Sequence, residues 1–535
     1  MQFRKLLTHL SGALAVTTMV GGSAWGASTP IEHVVVIFQE NVSFDHYFAT
    51  YPVAKNTPGD GTSFTAKADT PNVNGLNGSL LSNFNPNFNG TGNFGAPFRL
   101  THAQAATCDQ DHDYTDEQKD FDLGFMDGFP GENVGACGTI NAYDGSVGHP
   151  KDLVMGYYDG NTTTALWNYA QNFAMNDNSF GTTFGPSSPG AINLVSGNTA
   201  GAVQDAPTSG FVDITAGALT NDAQPFGDTC TSRDSAHLTG KNIGDLLTTA
   251  NVTWGWFQGG FNLHGSANNC TAQTHSSVTT HFGPKVDYIP HHEPFQYYAA
   301  TANPTHKRPT GPIGSSDQAN HQYDSQDFFD ALAAGNLPSV TFLKAPGYQD
   351  GHAGYSSPLD EQKFFVDTIT QLEKSKFWSS TAVFIMYDDS DGWYDHVMSP
   401  IVMHSQQSTD LLSGTDSCGS ASTGLQAQGR CGYGPRLPFL IVSPWAKTNF
   451  VDHTLTDQSS AIAFIEDNFG LGRIGGTQTS GGSFVGSTDQ FAGKLTNMFD
   501  FTLKKGQVNA HKVYIDPTTG AVLKKAPKDT GGDQP

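Results

Sequence analysis

Three stretches of this chain are apolar almost without a break: Val34 to Phe38, Thr381 to Tyr387 and Leu437 to Val442. A strand with one face in water alternates apolar and polar residues. Continuous runs instead fit strands buried on both faces, as in a mainly parallel sheet covered by helices. Val252 to Phe257 and Ser339 to Leu343 are weaker members of the same set. Helical patterns fall between the runs. Ser357-Pro358-Leu359-Asp360 has capping-box spacing with proline at the first helical position, and Phe365, Ile369 and Leu372 then recur at i, i+4 and i+7. Between Asp457 and Phe469, the residues Ile462, Ile465 and Phe469 share a face, and Gly470 supplies a stop. Strands alternating with helices predict an α/β fold around a mainly parallel central sheet flanked by helices.

Asn56 to Asn93 and Ser399 to Cys431 are polar and too long for ordinary connections, so long loop insertions over the active face are expected. With 60 Gly and 28 Pro the chain is rich in turns, yet 37% hydrophobic residues suffice for a large core. No repeat or linker divides the 535 residues, which read as one interrupted domain.

Residues 1 to 27 read as a secretory signal peptide: Arg4 and Lys5 precede an apolar stretch from Leu10 to Val20, and Ala24-Trp25-Gly26 offers small residues for cleavage. That stretch is shorter than the ~20 residues a spanning helix needs. A periplasmic or secreted protein without a stable membrane anchor is expected. Residues 28 to 505 are expected to form the catalytic domain and 506 to 535 a C-terminal hairpin or tail, with Val513 to Leu523 as the hairpin. Six cysteines fall as sequence neighbours, Cys108 with Cys137, Cys230 with Cys270 and Cys418 with Cys431, and read as three disulfide staples of loops. None has the C-x-x-C spacing of a zinc site. The net charge of −23 argues against nucleic acid and anionic membrane as partners, which leaves small molecules.

Two of the apolar runs end in oxygen ligands. Val34 to Phe38 leads into Gln39-Glu40-Asn41, and Thr381 to Tyr387 into Asp388-Asp389. Ligand sites in parallel α/β sheets lie beyond the carboxyl ends of the strands, so Glu40, Asn41, Asp388 and Asp389 are placed to share one divalent metal ion. The same residues also suit capping acids and a turn asparagine. In Phe184-Gly185-Pro186-Ser187-Ser188-Pro189-Gly190 a Gly-Pro turn feeds a helical segment. Ser187 then stands at a helix N-terminus, either as an N-cap or as a nucleophile whose alkoxide the helix dipole favours. The spacing is not the G-x-S-x-G of a hydrolase elbow. His112, His291, His292 and His352 lie in polar or glycine-rich loops, where histidines are more often functional than on an apolar face.

Gln39-Glu40-Asn41-Val42-Ser43-Phe44-Asp45-His46-Tyr47-Phe48 resembles the opening signature of the bacterial phosphoesterase family of acid phosphatases and phospholipases C. Met155 to Tyr158, Phe184 to Gly190, Asp350-Gly351-His352 and Tyr387 to His396 follow in the family's order, so the resemblance covers about Ile31 to Gly470. It implies an alkaline phosphatase-like fold. It also implies Glu40, Asn41, Asp388 and Asp389 as metal ligands, Ser187 as nucleophile, and His112, His292 and His352 as active-site histidines, with His291 as an alternative to His292. Asn262, in Gln258-Gly259-Gly260-Phe261-Asn262, is similar to a phosphate-contacting asparagine. The Asp-Asp-Ser-Asp-Gly-Trp form from Asp388 resembles the acid phosphatase branch, whereas many phospholipases have threonine at the Ser187 position. Val42 replaces a frequent arginine. The resemblance therefore implies a metal-dependent acid phosphatase acting on small phosphate esters through a phosphoserine. A phospholipase C that takes a phospholipid headgroup is the alternative, and a secreted binding protein is the rival from another class.

Overall fold

The computed structural model describes residues 26–527 except 83–94, 130–152, 207–213, 216, 266–268, 272, 279–282, 406–409, 411–417, 419–424, 427–430 and 479–483. Most of the expected signal peptide, Cys137, the end of the first polar stretch and much of the second lie outside the described residues.

Eight strands make the main sheet: β1 (His33–Gln39), β2 (Ala174–Asn176), β3 (Trp254–Gln258), β4 (Gln322–Asp324), β5 (Val340–Lys344), β6 (Thr381–Tyr387), β7 (Phe439–Val442) and β8 (Phe450–Asp452). Their order is β4-β3-β5-β1-β6-β7-β2-β8. Every adjacent pair from β4 to β6 is parallel, while β7 runs against both β6 and β2. The reversal has a local cause. The chain leaves β6 at its carboxyl end and is still held at that end near Arg436, whose carbonyl accepts from Phe44 N at 2.8 Å, so β7 has to run back.

The uninterrupted runs are buried as expected. Val34, Val35, Val36, Ile37 and Phe38 are all 0% exposed, and each such side chain contributes about 1.5–3 kcal/mol by leaving water. Helices flank the sheet: α1 (Phe44–Phe48), α2 (Tyr114–Phe121), α3 (Thr164–Asn172), α4 (Ser187–Ser196), α5 (Pro358–Lys374) and α6 (Ser459–Phe469). Helix α3 packs on α5, and α4 on α6. Ser357 caps α5 by accepting from Asp360 N, and Gly470 ends α6 at φ +65°. Cys230–Cys270 and Cys418–Cys431 are disulfides, and Cys108 is disulfide-bonded as well. Among the described residues no helix is long and apolar enough to cross a membrane. Near the C-terminus Ile515 and Val522 form an antiparallel bridge.

The strand order brings distant sequence together. β1 and β6 pair from His33↔Thr381 to Gln39↔Tyr387, so Glu40 and Asp388 leave neighbouring strand ends side by side. β5 lies on the other side of β1, with Ile37 opposite Leu343, and delivers Lys344 to the same edge.

Candidate active site

Ser187 is the first residue of α4 and is 1% exposed. Its Oγ donates to Glu40 Oε2 at 3.0 Å and has Asp389 Oδ2 at 3.1 Å as a second acceptor. The approach of α4 to the β6 loop depends on Gly190. A Cβ there would meet Asp388 O at 2.2 Å and Asp388 Cα at 3.0 Å, all immobile backbone. Gly190→Ala is therefore expected to cost about 1–3 kcal/mol, as overpacking does, and to lower turnover with it. Parallel thermal unfolding and rate measurements check this, and an unchanged melting temperature would contradict the close approach.

The β1 and β6 ends are laced together: Asp388 N donates to Gln39 O and Val42 N to Asp389 O. Asn41 takes a left-handed backbone (φ +28°), its N–H 3.4 Å from Asp388 Oδ1. Its Nδ2 lies 3.3 Å from His112 Nε2, which leaves the buried Oδ1 without a hydrogen-bond partner. Lys344, 0% exposed, pairs with Glu40 and has Asp388 Oδ2 at 3.2 Å. His292 Nδ1 stands 3.1 Å from Glu40 Oε1 and 3.9 Å from Asp350 Oδ2.

The remaining histidines divide. His112 Nδ1 meets Gln110 O at 2.8 Å and lies 3.6 Å from Asp391 Oδ1. His352 has its backbone N–H on Asp350 Oδ1 at 3.0 Å, its ring stacked on Tyr355 at 4.3 Å and 6.1 Å from His112. His291 turns away toward Asp222 and Arg233, so His292 is the member of the pair that reaches the carboxylates. Asn262 does not join them in the described contacts. Its Oδ1 accepts from His264 N and its N–H bonds Asp324, which closes a turn after β3.

Electrostatics show what the cluster favours. Burial, reinforced by Asp388, holds the Glu40 carboxyl well above the usual range against the pull of Lys344. Burial raises Asp389 likewise, opposed by His112, and pushes Asp350 up to about 7 against Lys344. Burial works against the Lys344 ammonium, but Asp388, Glu40 and Asp350 outweigh it and raise its pKa. His112 is also raised, because Asp389, Asp391 and Asp109 overcome burial, whereas burial takes His292 well below its usual value. Buried carboxylates outnumber the cations beside them, and Asn41 adds an unpartnered amide oxygen. A hard divalent cation fits that donor set.

Lys344, Asp350, Asp391 and Glu117 belong to this surround but carry no signal as strong as the strand-end acids. Asp350 and Asp391 lie inside motifs of the resemblance, and Lys344 directly follows the weak run Ser339 to Leu343, whereas Glu117 has no such mark. The second halves of the two motifs serve another purpose. Fully buried Arg436 places Nε 3.1 Å from both Asp395 oxygens and Nη2 3.1 Å from Asp45 Oδ1, while His396 Nδ1 meets Asp45 Oδ2 at 2.6 Å. Val42, in the place of an arginine, is buried in the apolar core.

Comparisons with known proteins agree with the geometry. The Phosphoesterase family model matches residues 31–472. A non-hemolytic phospholipase C of Pseudomonas aeruginosa is 30% identical over 148 residues, 26% of this chain and 21% of that protein. Phospholipase C B of Mycobacterium tuberculosis is 23% identical over 471 residues, 86% of this chain and 78% of that protein. The match thus spans about a fifth of the Pseudomonas protein's length and over three quarters of the mycobacterial one. Among solved structures, a protein in the alkaline phosphatase superfamily from Vibrio parahaemolyticus aligns over 58% of this chain and 62% of that one, at 13% identity and a TM-score of 0.25. With the family match running across every side chain of the centre, the chain belongs to the Phosphoesterase family.

Proposed function

We propose that the protein is an exported, metal-dependent acid phosphatase that hydrolyses phosphate monoesters through Ser187. The observation that carries this reading is the Ser187 hydroxyl, buried at the N-terminus of α4 with Glu40 and Asp389 as proton acceptors at 3.0 and 3.1 Å. Glu40, Asn41, Asp388 and Asp389 would hold a divalent cation, which when bound lowers the pKa of a hydroxyl and neutralises phosphoryl oxygens. Ser187 Oγ attacks phosphorus in line and gives its proton to a neighbouring carboxylate. The bond from phosphorus to the alcohol oxygen breaks, and the alcohol leaves with a proton. The positive end of the α4 dipole favours both the attacking oxygen and the phosphoryl group. Water then cleaves the phosphoserine and restores the hydroxyl. His112, whose pKa its neighbouring carboxylates raise, reaches this centre through Asn41 and is the group on hand for leaving-group protonation, while His292 stands against Glu40.

The surround supports a monoester over a choline diester. A quaternary ammonium is recognised by open aromatic faces. Tyr355, beside Asp350, instead has Lys285 Nζ 3.6 Å from its ring centroid and His352 stacked on it. The Lys285 ammonium at that position suits the second negative charge of a monoester. The second reading, a phospholipase C, is favoured by the names of the relatives. Steady-state hydrolysis of p-nitrophenyl phosphate beside a phosphatidylcholine dispersion separates the two. Preference for the monoester is expected, and preference for the lipid would establish the second reading.

Removing one proposed ligand tests the cation's place. Asp388→Asn is expected to lower bound metal per chain, measured by elemental analysis of purified protein. Unchanged content would place the cation elsewhere.

A further inference from the structure

The nucleophile turn and the β6 loop are far apart in sequence, and one buried carboxylate ties them together. Glu117, on α2, is 2% exposed. Its Oε2 accepts from Gly185 N at 2.7 Å, two residues before Ser187. Its Oε1 accepts from Ser390 Oγ at 2.6 Å, next to Asp389, and Ser390 Oγ in turn accepts from Gly392 N at 3.1 Å. Gly185 stands at φ +115°, a backbone region open to glycine, so this residue has no side chain of its own to anchor it. The two strapped segments then meet at the 3.1 Å contact between Ser187 Oγ and Asp389 Oδ2.

We propose that Glu117 is a positioning residue, which fixes the Gly185–Ser187 turn against the Asp388–Gly392 loop so that the Ser187 hydroxyl is aimed for in-line attack. It touches no reacting atom and acts through Gly185 and Ser390. An apolar replacement would leave the buried Gly185 N–H and the proton of the Ser390 hydroxyl without their Glu117 acceptors and let the turn drift. The inference rests on the serine-nucleophile reading.

The test uses the full chain with Glu117→Ala, Glu117→Gln, Ser390→Ala, the Glu117→Ala/Ser390→Ala double variant and Ser187→Ala. Rates on p-nitrophenyl phosphate are read together with metal content and thermal unfolding. Misplacement on the scale of 1 Å costs about 10²-fold, so Glu117→Ala is expected to lose about that factor in kcat, with KM and metal content near wild type. Glutamine keeps an oxygen for Gly185 N and an N–H for Ser390 Oγ, and is expected to restore most of the rate. The double variant is expected to be little worse than Glu117→Ala, because both changes cut one link. A folded Glu117→Ala protein with wild-type kcat would overturn the proposal. So would a loss that glutamine fails to rescue, or one that follows lost metal. If Ser187→Ala itself turns over normally, the nucleophile reading fails; if it is inactive while Glu117→Ala is normal, only the positioning role fails.

Discussion

Ser187→Ala is expected to lower kcat on a phosphomonoester by at least about 10³-fold, the scale on which covalent nucleophiles are missed. The change removes one oxygen from a site that is 1% exposed and leaves α4 with its apolar contacts, so the fold is expected to persist. It also removes the one neutral donor between Glu40 Oε2 and Asp389 Oδ2. Two buried carboxylates then face each other directly, so the cation is expected to be retained rather than lost. Parallel measurement of kcat, metal content and unfolding checks all three expectations. Turnover near wild type would take the nucleophile role from Ser187.

Arg436→Met is expected to give the largest loss of stability, about 3–5 kcal/mol, the usual cost of removing one partner from a buried ion pair. Arg436 is 0% exposed, sits between Asp45 and Asp395, and rests 4.3 Å from the Phe44 ring. Methionine keeps much of the apolar contact and none of the charge. The loss also has a pH sign. Burial pushes the Asp395 carboxyl up to about 6, with Arg436 acting against it. A carboxyl raised in the folded state is bound to a proton there before it is in the unfolded chain, so its contribution favours folding as pH falls and is lost as pH rises through the folded value. Without Arg436 the penalty is therefore larger near about pH 7 than near about pH 5, where protonation relieves the pair. Denaturant titrations at both pH values measure it, and an equal loss at both would contradict the charge account.

The features legible in the sequence are those written in consecutive residues. Val34 to Phe38 and Thr381 to Tyr387 announce doubly buried strands, and the acids that follow them had to emerge at one sheet edge once the strands were parallel. The Gly-Pro turn before Ser187 likewise declares a helix start. Lys344 was less visible, because a lysine at the end of a short apolar run reads equally well as a solvated strand end. Glu117 was invisible, since Thr115-Asp116-Glu117-Gln118-Lys119-Asp120 looks like an exposed polar helix face. Its burial depends on which loops pack over α2, a tertiary fact with no local period. The reversed direction of β7 is hidden in the same way: its apolar run is the same whichever way it points, and only the return of the chain at Arg436 decides it. Asp45, His46, Asp395 and His396 show the converse. They sit in the two motifs of strongest resemblance, yet Asp45, Asp395 and His396 build the Arg436 clamp, and His46 stacks on Trp393 at 3.8 Å.

Transfer through Ser187 takes two steps, and the configuration at phosphorus reports how many displacements have occurred. A phosphomonoester made chiral at phosphorus with oxygen isotopes is turned over in the presence of an acceptor alcohol, and the phosphorylated acceptor is analysed. Two successive in-line displacements, onto Ser187 and then onto the acceptor, each invert the centre, so net retention is expected. Net inversion would show a single direct displacement and would contradict the phosphoserine intermediate.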